Sequence, residues 1–124
     1  MSVFTDNDGN IYLRQGDTGQ VVFTGLPTDK AYDVYLSVYN TDENRILQEL
    51  IASQFTQGTG TAIFVFNEDF SNGLPVGDWG YGLKICSSNG TEDTLLPQTV
   101  IENGEIIQLN PLKFTVADKV VEGA

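Results

Sequence analysis

The chain has 124 residues, enough for one domain that buries a real core without disulfide staples. Seventeen acidic residues against six basic ones leave a net charge of −11, which repels phosphate backbones and anionic bilayers, so neither nucleic acid nor a membrane surface is expected as a partner. With no histidine, every His-based triad, dyad and metal site is excluded; with one cysteine, Cys86, so are an intramolecular disulfide and a thiolate zinc site.

The first ten residues, with Asp6, Asn7, Asp8 and Gly9 among them, hold neither a basic start nor an apolar run, so no secretory signal is expected. From there, short apolar runs alternate with turn residues in the pattern of a sandwich or barrel, and about eight strands can be counted. Residues 10–15 and 20–24 are short, edge-strand candidates separated by Gly16-Asp17-Thr18-Gly19. Residues 31–40 form the clearest strand: Tyr32, Val34, Leu36 and Val38 face the core, and Asp33, Tyr35, Ser37 and Tyr39 face away. A polar turn, Thr41-Asp42-Glu43-Asn44, leads into residues 45–55, where Ile46, Leu47, Leu50 and Ile51 fit a helix face as well as a strand. A strand is expected because so short a turn suits a hairpin; a short helix is the alternative.

Residues 60–66 are apolar on both faces, Ile63 and Val65 against Ala62, Phe64 and Phe66, which predicts a central strand. A polar stretch over 67–73, with room for one helical turn, precedes Leu74-Pro75-Val76-Gly77. In the strand that follows, Trp79, Tyr81, Leu83 and Ile85 share one side while Gly80 and Gly82 occupy the other. Asn89-Gly90 predicts a hairpin before a return over 94–101, and Asn103-Gly104 marks another reversal. Residues 105–109 and 112–117 complete the strands, with Leu112, Phe114 and Val116 on one face. The domain is taken to span 1–118, with 119–124 as a tail.

Chemistry finds little to work with. The adjacent acids Asp42 and Glu43, Glu68 and Asp69, and Glu92 and Asp93 could serve a glycosidase only if they converged across a cleft, and all three pairs read as solvated loop ends. Aligning Gly9 with the turn glycine of a calcium loop puts Phe4 and Gln15 at positions that need strong oxygen ligands, so a plain polar turn is the better reading. Gln57-Gly58-Thr59-Gly60 lacks the Lys-Ser/Thr ending of a phosphate loop, and Asn89-Gly90-Thr91 matters as a glycosylation sequon only in a secretory compartment. Cys86 reads as an inert packed thiol. No catalytic, cofactor-binding or metal-binding residue is expected, and no cofactor. The candidate contact surface is Tyr35, Tyr39 and Trp79, the last also reading as a residue packed into or beside the core.

Four short motifs occur in a suggestive order: Leu13-Arg14-Gln15-Gly16-Asp17-Thr18, then Leu74-Pro75-Val76-Gly77 before an aromatic-glycine strand, then Asn89-Gly90 with Thr94-Leu95-Leu96-Pro97, and finally Phe114-Thr115-Val116 with Val121-Glu122-Gly123. In this order they resemble the N-terminal domain of baseplate upper proteins and related fibre or tail proteins of phages that infect Gram-positive bacteria. The resemblance implies an immunoglobulin-like antiparallel β-sandwich of about seven to nine strands. It also implies a noncatalytic virion module in baseplate, tail or head fibre, assembled in the host cytoplasm, whose partners are other virion structural proteins and further copies in a symmetric assembly. The alternative is a carbohydrate-binding β-sandwich that uses exposed aromatics.

Overall fold

A strand whose alternate residues are large and apolar must cover one face, and two sheets of such strands cover one another. The chain does this. In a computed structural model, which describes residues 3–6, 9–43, 45–96, 98–102, 105–109 and 112–118, it forms an all-β sandwich with one short helix. The strands are β1 (Val3–Thr5), β2 (Ile11–Arg14), β3 (Gly19–Phe23), β4 (Asp33–Asn40), β5 (Arg45–Ile51), β6 (Gln54–Thr56), β7 (Thr61–Phe66), β8 (Gly77–Cys86), β9 (Glu92–Leu96), β10 (Gln98–Glu102), β11 (Glu105–Leu109) and β12 (Lys113–Ala117). Helix α1 spans Glu68–Asn72.

The larger sheet runs β1-β2-β12-β8-β4-β5, and the smaller runs β3-β7-β6. Ten-residue β8 holds the larger sheet together. Along one flank it pairs with β4 from Gly80 to Cys86; along the other, β12 takes Gly77–Gly80 and β9 takes Leu83–Cys86. All pairings are antiparallel except that of β12 with β2. Strands β10 and β11 form a separate antiparallel hairpin. The described strands number twelve, more than the seven to nine expected, because residues 45–55 and 94–101, which read as single strands, are each divided, and because β1 was not expected. The reversal at Asn103-Gly104 and the tail 119–124 lie outside the described residues.

Residues 45–55 show why a run divides. Strand β5 pairs with β4 as the hairpin predicts, but Val38 faces Gln48 while Tyr39 faces Ile46, leaving Leu47 as a bulged extra residue. The bulge shifts side-chain parity by one, which is how Ile46, Leu47, Leu50 and Ile51 came to mimic helical spacing. Beyond it the chain changes sheets: the Ala52 amide donates to Val34 O at 2.8 Å in the larger sheet, and the Ser53 amide donates to Ile63 O at 2.8 Å in the smaller.

The inner faces follow the alternation. Val34, Leu36 and Val38 of β4 and Tyr81, Leu83 and Ile85 of β8 are buried against Val21 of β3 and Ala62, Phe64 and Phe66 of β7. Rings bind the layers at one end: Phe66 stacks on Phe70 of α1 with centroids 5.0 Å apart, and Phe114 of β12 meets Phe66 edge-on at 5.7 Å. Helix α1 starts where Asn67 Oδ1 accepts the Phe70 amide at 2.8 Å, an N-cap that turns Phe70 inward. Among the described residues, no buried side-chain nitrogen or oxygen lacks a hydrogen-bond partner.

The motifs at one end of the sandwich are fastened to each other. Gln15 Nε2 donates to Leu74 O at 2.7 Å, the Gly16 amide donates to Ser71 Oγ at 3.0 Å, and the Gln15 amide donates to Ala117 O at 2.9 Å. Segments about 60 and 100 residues apart in sequence thus share one junction. Ser71, fully buried, also donates to Glu68 O at 3.2 Å. Gly16 turns the chain there with φ +82°, a conformation open to glycine at little cost.

Candidate contact surface

The outer face of the larger sheet is set by cross-strand register. Tyr35 stands between Ile51 of β5 and Lys84 of β8, Ser37 between Glu49 and Gly82, and Tyr39 between Ile46 and Gly80. Glycine at the last of these places lets the Tyr39 ring lie down on the sheet. A Cβ on Gly80 would stand 2.8 Å from two atoms of the Tyr39 ring and 3.0 Å from the Thr41 methyl. Burial of that ring raises the Tyr39 hydroxyl above its ordinary pKa.

Around Tyr35 the face is polar and tied together. Lys84 Nζ lies 5.4 Å from the Tyr35 ring centroid, 3.6 Å from Glu49 Oε2 and 3.8 Å from Glu92 Oε1. Ser37 Oγ donates to the same Glu49 oxygen at 3.0 Å. Further along, Thr115 Oγ1 donates to Asp78 Oδ1 at 2.8 Å. Each exposed ion pair contributes no more than about 1 kcal/mol. Their effect is one of placement: ring, ammonium and carboxylates are gathered on one patch of the outer face.

Trp79 does not join this face. As neighbours along β8, Trp79 and Gly80 point to opposite sides, and the indole packs half-buried against the edge of the core. Its Nε1 donates to Pro75 O at 2.8 Å, and a Cβ on Gly77 would lie 3.0 Å from its Cζ2. The three candidate contact residues therefore divide two and one, and no single platform contains them all.

The remaining candidates fall where polar turns and surface strands place them. Asp42 and Glu43 sit in the β4–β5 turn, where Glu43 pairs with Arg45 at 2.9 Å. Glu68 and Asp69 form the first turn of α1, and Glu92 and Asp93 open β9; neither pair lies in a loop as expected, though all six carboxylates are exposed. Asp6 spends both its oxygens on the turn: Oδ1 accepts the Asn10 amide at 2.9 Å and Oδ2 accepts Asn10 Nδ2 at 3.0 Å. Of the calcium-loop reading, Asn7 and Asp8 lie outside the described residues. Gln57-Gly58-Thr59-Gly60 is a turn, in which Gly60, φ +63°, donates its amide to Gln57 O at 3.3 Å. Asn89-Gly90 closes the β8–β9 hairpin, with Gly90 at φ +88°. Cys86 is half-buried, its Sγ 3.6 Å from Ser87 O.

Alternation did not single out the outer face of the smaller sheet. Strand β7 is central, as expected, yet only its Phe64 side is covered; Val65 is 45% exposed, and Val22 of β3, opposite Ile63 on the same face, is 49% exposed. The signal was present in a run apolar on both sides, but a two-sided run reads equally well as doubly buried. No protein-family model matches the chain, and no curated protein matches it.

Proposed function

We infer that this protein is a noncatalytic structural module of a bacteriophage virion, held in baseplate, tail or head fibre by contacts with other virion proteins. Two things support the reading. The first is the ordered resemblance, which carries with it an immunoglobulin-like arrangement and assembly in the host cytoplasm. The second, and the observation that carries a contact role, is the outer face on which Tyr35 and Tyr39 lie half-exposed among Lys84, Glu49 and Ser37. Tyrosines on a rigid strand offer large contact area with little rotamer entropy to lose, which is why they are favoured at the centres of protein interfaces.

The test is co-purification with baseplate, tail and head-fibre proteins from the same genome. Association at micromolar concentration, weakened at least tenfold by Tyr35→Ala with Tyr39→Ala, is the expected result; about 1.4 kcal/mol from the pair suffices for that. If none of those proteins binds, or if a purified sample sustains turnover of any substrate that single Asp or Glu substitutions abolish, the reading fails.

A further inference from the structure

The smaller sheet differs from the rest of the molecule in one respect that sequence order hides. Its strands, Gly19–Phe23, Gln54–Thr56 and Thr61–Phe66, contain no ionisable residue, although the chain carries a net charge of −11. On its outer face, register sets Val22 opposite Ile63, Gln20 opposite Val65, Gln54 opposite Ile63 and Thr56 opposite Thr61. The result is an apolar triangle, Val22, Ile63 and Val65, ringed by neutral amides and hydroxyls. Beside Val65 an open hollow of about 630 Å³ continues the same chemistry through Thr18, Gly19, Gln20, Phe66 and Asn67.

We propose that this face packs against the same face of a second copy of the chain. Charge decides the occupant. In a two-fold contact, an ionised group near the axis meets its own like-charged counterpart, so a self-contact on a strongly acidic protein requires a patch without ionisable groups. A basic partner would instead be met by carboxylates, which the larger sheet offers at Asp78 and Glu49 and this sheet does not. Three strands spaced about 4.8 Å apart and three to six residues long give a face of only a few hundred Å², below the roughly 800 Å² per partner of a stable pair. The contact is therefore weak in dilute solution and forms where copies are already concentrated. It stands independently of the virion reading.

Sedimentation velocity on the intact chain, up to roughly millimolar concentration and at about 0.05 and 0.5 M salt, tests it. Reversible self-association is expected, stronger at the higher salt, because screening relieves the repulsion between copies. Val65→Asp should weaken it roughly tenfold or more by placing two unpaired charges in the contact. Gln20→Glu, isosteric and at a position already exposed, should weaken it in the same direction and decides the matter if Val65→Asp fails to fold. A chain monomeric under all these conditions overturns the proposal, as does self-association indifferent to the folded variants or weakened by added salt. Failure here leaves the co-purification experiment untouched, and the reverse is equally true.

Discussion

Behind Phe64 lies the uncharged face of Val22, Ile63 and Val65; behind Leu36, on the other side of the same core, lies the face of Tyr35, Lys84 and Glu49. Both are built on strands with equally apolar inner sides. They differ outside, where one is laced by ion pairs and a ring under an ammonium and the other has nothing to ionise. Inner faces answer to a single demand, exclusion of water, so they resemble each other. Outer faces answer to whatever the surface meets, and there the two sheets part company.

The largest effect should separate neighbours on one strand. Phe64→Ala removes a fully buried ring and should cost about 3–5 kcal/mol in urea unfolding, whereas Val65→Ala, one residue on, should stay within about 1 kcal/mol. Equal losses would mean that the two sides of β7 are not inside and outside. Gly60→Ala comes next: at φ +63° its Cβ would run into Leu26 O, so roughly 1–3 kcal/mol should be lost, measurable as a lower thermal midpoint. This strain belongs to the turn that feeds the smaller sheet.

A smaller effect reports the core beneath the polar face. Burial, with the nearby Asp6 charge, pushes the Tyr81 hydroxyl up to about 12 from its ordinary 10. The unfolded chain releases this proton near pH 10 while the folded one keeps it, so Tyr81's stabilising contribution is complete below pH 10 and is lost as pH rises through about 12. Urea midpoints should fall across that window, and Tyr81→Phe should flatten the fall while forfeiting the hydrogen bond to Gly9 O. Smallest of all, Lys84→Met should change stability by no more than about 1 kcal/mol, and by less at high salt. A larger change would make the polar face a source of stability as well as a surface.

Much of the fold could be read from alternation alone. Val34, Leu36 and Val38 on β4, and Tyr81, Leu83 and Ile85 on β8, are buried as their spacing requires. Where the reading blurred, a cross-strand fact was missing. The bulge at Leu47 is a property of the β4–β5 pairing, and the mark it leaves on β5, apolar residues off the two-residue period, reads equally well as a helix face. The change of sheets at Ala52 and Ser53 depends on two hydrogen bonds to different strands, one earlier and one later in the chain. The candidate site was half legible: Tyr35 and Tyr39 share a face as their four-residue separation dictates, while Trp79 was always on the opposite parity from Gly80. The uncharged face escaped notice because it is assembled from three strands, none of which looks unusual when taken singly.

The parallel pairing of β2 with β12 sets how the sandwich would bear tension. A pull entering at Ile11 and leaving at Ala117 draws the two strands along their length in opposite directions, so the hydrogen bonds between them are sheared together and cannot open one after another. A pull applied ahead of Val3 would first unzip antiparallel β1, gripped by β2 alone within its sheet, and then meet that lock intact. Loaded in this direction, the molecule yields abruptly at high force, where a hairpin would give way a bond at a time.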